Sequence, residues 1–385
     1  MNKAAVISSL ERSIRRRLNK HLRELGFSKA KSFFEPPKMD SKDAIRTLHS
    51  AQRAERLSLH AGFVQSAWPK LRQFFANGDE IEVPSIKPRL ELISSESWQS
   101  DLFRLAGLTW AVPVSQGYGR RLRFLVWDDH NGKLIGIMGL CDPVFNLRVR
   151  DRLIGWSAQD RKDRLVHVLE ANVLGAVPPY NKLLCGKLIA CLARTITVVD
   201  SFDQRYFRSR GVISRKLKHP SLVLITTASA LGRSSVYNRL TLDGRNYFKS
   251  IGYTTGWGHF QIPSRIFVLM REYLRLKGDL YASNHKFGQG PNWRLRATRQ
   301  ALELLGYKHT LLRHGVSREL FTCEMADNAT DILRGSFAKP DYGSVKSVDY
   351  VGRRAMDRWV KPRAERDSAF RTHGASDVFQ CLFRG

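Results

Sequence analysis

The sequence predicts an α/β protein of the α+β kind, with a helical N-terminal module, a central mixed sheet and C-terminal helices. Three observations predict it. Apolar residues recur at helical spacing near the N-terminus, alternating segments flank Asn131-Gly132, and strand-like and helix-like segments then follow one another as far as Leu240.

In order along the chain, Ile7, Leu10, Ile14, Leu18, Leu22 and Leu25 mark one face of a helix. Arg12, Arg15, Arg16, Arg17, Lys20 and Arg23 take the others, so the helix is basic and amphipathic. Pro36-Pro37 breaks the pattern. A second helix runs from near Ser41 toward Trp68 on Ile45, Leu48, Leu57 and Phe63, and the module closes near Gly78. Leu122, Phe124 and Val126 alternate before Asn131-Gly132, the dipeptide favoured in tight turns, and Leu134 to Leu140 returns, which predicts a hairpin over Leu122 to Asp142. Strands follow at Val166 to Val177 and Leu222 to Thr227, with helices at Lys182 to Val199 and Ser235 to Leu240. Ile262 to Lys277 and Pro291 to Leu305 read as helices. Beyond Gly335 the chain is basic and irregular apart from Val348 to Val360. The expected division is a basic helical module at 1–78, a central α/β sheet domain at 79–260, a C-terminal helical region at 261–335 and a basic tail at 336–385.

Charge sets the partner class. Against 35 acidic residues stand 64 Lys plus Arg, a formal charge of +29 over 385 residues, and the excess is spread along the whole chain. Such a field attracts polyanions, so nucleic acid, DNA foremost, is the expected partner. No apolar run is long enough to span a membrane and the Arg-rich start lacks a signal-peptide centre, which predicts a cytoplasmic protein with no membrane partner. Five scattered cysteines without a Cys-x-x-Cys pair indicate neither a disulfide framework nor a zinc site.

Five ordered segments carry a resemblance: Gly117 to Val126, Asp142 to Leu147, Arg150 to Trp156, Leu174 to Asn181 and Ala230 to Asn238. Together with Gln289 to Arg294 and Arg313-His314-Gly315 they closely resemble the DruA family of the Druantia anti-phage defence systems, over nearly the whole chain. The resemblance implies a bacterial defence subunit that acts beside a large helicase-like partner and other small subunits. It implies a role rather than a reaction, and it carries over no catalytic residue.

Three segments hold the candidate binding chemistry. Pro178-Pro179-Tyr180-Asn181-Lys182 joins a predicted strand to a predicted helix. That step is similar to the one in acyl-CoA-dependent N-acetyltransferases, where helix-start N–H groups cradle a pyrophosphate. The phosphate loop there is glycine-rich, whereas Lys182 to Gly186 offers one glycine, so the similarity bears on fold more than on acetyl transfer. In the second segment Arg233, Ser234, Ser235, Tyr237, Asn238 and Arg239 follow a strand, where hydroxyls, N–H groups and two arginines would suit a phosphate; a plain helix cap by Ser234 or Ser235 is the simpler alternative. In the third, Lys286, Trp293, Arg294 and Arg296 interleave basic and aromatic groups on a Gly/Pro loop, the mixture that stacks bases and holds phosphates; core packing by Phe287 and Trp293 is the alternative. The competing enzymatic reading is a nuclease or nucleotide-modifying activity. It would rest on Asp142 or Asp151, with Asp160 and Glu170 near the sheet. No cofactor is expected, and Mg²⁺ only under the nuclease reading. His259 and His314 read as structural.

Overall fold

The hairpin at Asn131-Gly132 is part of a larger sheet. In the computed structural model, which describes residues 3–30, 33–94, 97–210, 217–282 and 293–383, that sheet has seven strands, the hairpin's two included. They are β1 (Pro88–Leu92), β2 (Arg121–Asp128), β3 (Lys133–Cys141), β4 (Val168–Ala176), β5 (Leu224–Ala228), β6 (Lys249–Tyr253) and β7 (Glu319–Glu324), in the order β6-β7-β5-β4-β3-β2-β1. Gly132 supplies the turn's positive φ of 68°, and Leu122 and Phe124 then face Leu140 and Met138 across the hairpin. Among the described strands of this sheet, β4 and β5 alone run parallel. A parallel pair needs a crossover, here supplied by the helices Cys185–Leu192 and Ile196–Tyr206 where one helix was expected.

Contacts divide the chain into two compact units, and not at the linear boundaries expected. The first comprises Met1–Ser58, Ala230–Gly232 and Thr254–Arg318; the second comprises Leu59–Ser229, Arg233–Tyr253 and Glu319–Gly385. The expected helix from Ser41 to Trp68 is two helices, Lys42–Leu59 and Ala61–Leu71, with His60 between them at φ −108° and ψ 6°. The first unit is helical. Its long helix Lys3–Glu24 buries Ile14, Leu18 and Leu22 against Ile266, Phe267 and Met270 of the helix Ser264–Leu276, so the period read from the sequence is the packed face.

The second unit holds the sheet. Two features differ from expectation. The region 261–335 is not wholly helical, because β7 inserts between β5 and β6, pairing Phe321 with Thr227 and Ser250. The segment 336–385 is not a tail: helices Val348–Ala355, Lys361–Arg366 and Ala375–Phe383, with a π-helical turn Met356–Val360 between the first two, return to the sheet unit. Val351, Ala355, Met356, Trp359, Val360 and Phe370 are buried in the same core cluster as Phe124, Leu188 and Phe321. No helix among the described residues is long and apolar enough to cross a membrane.

Candidate nucleic-acid interface

The segment after β5 does not open a helix. Ser234 Oγ accepts from the amides of Val236 at 3.1 Å and Tyr237 at 2.8 Å, a cap-like turn, but the chain then leaves helical geometry at Arg239, whose φ is +68°. Glu319, 4% exposed on β7, holds the turn in place. Its Oε2 accepts from the Ser234 amide at 2.9 Å and Asn238 Nδ2 at 3.0 Å, while Ser250 Oγ donates to Oε1 at 2.9 Å. Ser234 and Asn238 are therefore occupied in shaping the loop. Tyr237 lies on Phe248 and Phe321, with ring centroids 5.1 and 5.2 Å away, and burial pushes its phenol up to about 12. A buried ring offers no face to a base. What the loop does present to solvent is Arg233, Ser235 and Arg239.

The step after β4 behaves in the same way. Tyr180 is 0% exposed, and its hydroxyl donates to Asp128 Oδ2 at 2.9 Å while Asn131 Nδ2 donates to it at 3.0 Å. Burial raises that phenol too. Tyr180 thus locks the crossover to the β2–β3 turn and does not stack on a ligand. The amides of Asn181, Lys182, Leu184 and Lys187 all donate to backbone carbonyls nearby, so these four are not free for a pyrophosphate. Asn181 and Lys182 are exposed.

From these two loops the structure assembles a cationic face that the sequence did not reveal. The ammonium of Lys187 lies 5.4 Å from the centroid of Trp359, and the Arg358 guanidinium lies 5.7 Å from the same ring. Burial lowers the Lys187 pKa; Cys191 opposes that shift, and the guanidiniums of Arg358 and Arg239 add to it. None of the three forms an ion pair among the described residues; the adjacent Asp357 is taken by Lys361 at 2.7 Å. Arg363 Nε donates to the carbonyl of Lys182 at 3.2 Å, bringing Lys182 to the edge of this face. Tyr350 and Arg354 grip Asp243, which anchors the helix Val348–Ala355 to the Thr241–Asn246 hairpin. Lys187, Arg358 and Trp359 were missed because their nearness is tertiary. One local signal existed: Arg353, Arg354, Arg358 and Lys361 interleave with Trp359. The π-helical turn carrying Arg358 and Trp359 is a departure from regular geometry of the kind often found at functional sites.

Trp293, Arg294 and Arg296 belong to the first unit, and Lys286 lies outside the described residues. The indole Nε1 of Trp293 donates to the Tyr281 carbonyl at 3.3 Å and its ring meets Phe267 edge-on at 5.6 Å. Arg294 spends its guanidinium on Ser264 Oγ at 3.1 Å and the Ile262 carbonyl at 2.9 Å; Arg296 alone of the three is fully exposed. In the same unit His49, His259 and His314 are held down to about 4, burial being the main cause, so all three are neutral near pH 7.

The candidate carboxylates are occupied. Asp142 Oδ1 accepts from Arg120 Nε at 2.7 Å and Oδ2 from the Arg120 amide at 3.1 Å, and a Cβ at Gly119, whose φ is +65°, would collide with that carboxylate. Asp151 is paired with the fully buried Arg150 at 2.6 Å. Asp160 completes a capping box with Ser157 and pairs with Arg164. Among the described residues no three His, Cys, Asp or Glu side chains converge as metal ligands would.

Fold and surface define the class: a basic protein with a central mixed sheet, in which Lys187, Arg239 and Arg358 form no ion pair among the described residues. The chain belongs to the DruA family, as the sequence resemblance implied. The family model described as "Druantia protein DruA" matches residues 39–335. A "Druantia protein DruA" from Escherichia coli (strain UMEA 4076-1) is 50% identical over 376 residues, which cover 98% of this chain and 93% of that relative. No solved structure matches the chain.

Proposed function

We propose that the face around Trp359 binds nucleic acid through its phosphates, as the DNA-contacting subunit of a Druantia assembly that includes a helicase-like partner. Membership of the DruA family makes the chain a component of Druantia anti-phage defence. The observation that carries the binding reading is the placing of Lys187 and Arg358 on the one Trp359 ring, at 5.4 and 5.7 Å, with no ion pair to either among the described residues and with the Arg239 charge acting on Lys187. Like charges held together repel, and a polyanion relieves that repulsion. Lys182, Arg233 and Ser235 extend the exposed polar surface of the two adjoining loops, and the net charge of +29 supplies long-range attraction. Asp142 and Asp151 are each held by an arginine, so the nuclease reading has less support than the binding one.

The test is a salt series of fluorescence anisotropy on labelled single- and double-stranded DNA. For duplex DNA each phosphate contact contributes about −0.9 to the slope of log K against log salt. The triple variant Lys187→Ala, Arg239→Ala, Arg358→Ala is expected to shallow that slope by roughly 2 to 3 and to weaken binding at least about tenfold near 0.1 M salt. An unchanged slope in the folded variant would move the interface elsewhere.

A further inference from the structure

A second cationic feature of the sheet unit lies at the helix Arg148–Ile154. There the surface forms a shallow, open depression of about 550 Å³ lined chiefly by Asn146, Arg148, Asp151, Arg152, Trp156 and Arg161. Three arginines meet one carboxylate, and that carboxylate is already engaged. Asp151 Oδ1 accepts from Arg150 Nε and Nη2 at 2.9 and 2.6 Å; Oδ2 accepts from the Leu147 amide at 3.1 Å and from Arg161 Nη1 at 3.3 Å. Arg148 and Arg152 are exposed and have no hydrogen bond or ion pair among the described residues. Arg161 is only 17% exposed in its side chain; among the described residues it hydrogen-bonds through Nη1, its guanidinium lies 5.4 Å from the Phe145 ring, and its Nε is buried without a hydrogen-bond partner. A buried donor left unpaired in a native structure calls for an explanation, and an absent acceptor is a direct one.

The walls are rigid. Trp156 Nε1 donates to the Leu333 carbonyl at 2.6 Å and the Arg150 guanidinium lies 5.3 Å from its ring. Arg150 is itself fixed by the carbonyls of Val144 and Phe145, each at 3.0 Å. A merely solvated face would not need three arginines lining one depression beside a fixed indole.

We propose that this pocket binds a phosphorylated small ligand or strand end: Arg148, Arg152 and Arg161 take the phosphate oxygens, and Trp156 forms the apolar wall. Planar guanidiniums match phosphate geometry with paired donors. A free nucleoside polyphosphate and the terminal phosphate of a nucleic-acid strand share this chemistry. The site is independent of the face around Trp359 and rests on different residues.

Isothermal titration of the full chain with pyrophosphate, ATP, and one oligonucleotide with and without a 5′-phosphate tests it. The double variant Arg148→Gln, Arg152→Gln is expected to keep its melting temperature, since both side chains are exposed and unbonded, and to lose at least about tenfold in pyrophosphate affinity. Lys187→Gln with Arg358→Gln removes the same charge and is expected to leave pyrophosphate binding intact. Preference for the 5′-phosphorylated strand over ATP identifies a strand end, and the reverse a free nucleotide; either supports the pocket. Equal losses in the two double variants, or no wild-type binding of any of these phosphates, would overturn it.

Discussion

Asp151 has the position of a catalytic acid and the surroundings of a structural one. It sits in a pocket mouth, yet both oxygens are committed to Arg150, Arg161 and the Leu147 amide. Arg150 is 0% exposed, so removing its partner leaves an uncompensated charge in the interior. Breaking such a buried pair typically costs about 3–5 kcal/mol. Asp151→Ala is therefore expected to lower the free energy of unfolding by roughly that amount in a urea titration. A group kept for chemistry alone would give little change in stability on removal, so a near-zero value would return Asp151 to the list of reacting groups. Tyr180 and Tyr237 follow the same logic. Each was attractive as a stacking residue, and each turns out to spend its ring on the core.

At the scale of elements, the last fifty residues contribute helices to the core, where a basic tail irregular apart from Val348 to Val360 was expected. Val351, Ala355, Met356 and Val360 pack into the central cluster, and a fully buried side chain of this size is worth about 1.5–3 kcal/mol. Ending the chain at Gly335 is thus expected to expose the sheet unit's core and give a protein that aggregates or is rapidly degraded in limited proteolysis. A truncated chain with the parent's melting temperature would show that these helices are dispensable. The stretch Val348 to Val360 was legible as an element, but its place in the core was not, because Arg353, Arg354 and Arg358 interrupt its apolar residues and the π-helical turn shifts the helical period at Met356. The β2–β3 hairpin was legible for the opposite reason, since its turn and its alternation are both local. Strand β7 was not, because its partners β5 and β6 lie far away in the chain and it begins with a glutamate. That Glu319 is buried for a reason the sequence hides: it receives the Ser234 amide and Asn238. The interface divides along the same line. Lys182 and Arg239 could be picked out from their own loops, whereas Lys187 and Arg358 become neighbours only when the chain is folded.

At the scale of the whole molecule, a formal charge of +29 acts on folding and on binding with opposite signs. Folding gathers cations that the unfolded chain keeps apart, so self-repulsion destabilises the native state and screening should relieve it. The Debye length falls from about 10 Å at 0.1 M salt to about 3 Å at 1 M, which removes repulsion between exposed charges on different parts of the surface. Across that range the melting temperature in sodium chloride is expected to rise by several degrees, since about 1 kcal/mol moves a larger protein's midpoint by roughly 2–4 °C. Nucleic-acid affinity is expected to fall steeply over the same range, because salt opposes the release of counterions. The two trends come from one cause, and calorimetry beside anisotropy on the same samples measures both. A melting temperature that stays level or falls with salt would mean that the ion pairs, Arg120–Asp142 and Arg150–Asp151 among them, outweigh the excess of positive charge in holding the fold. In that case the arginine excess would have to be explained by the partner alone.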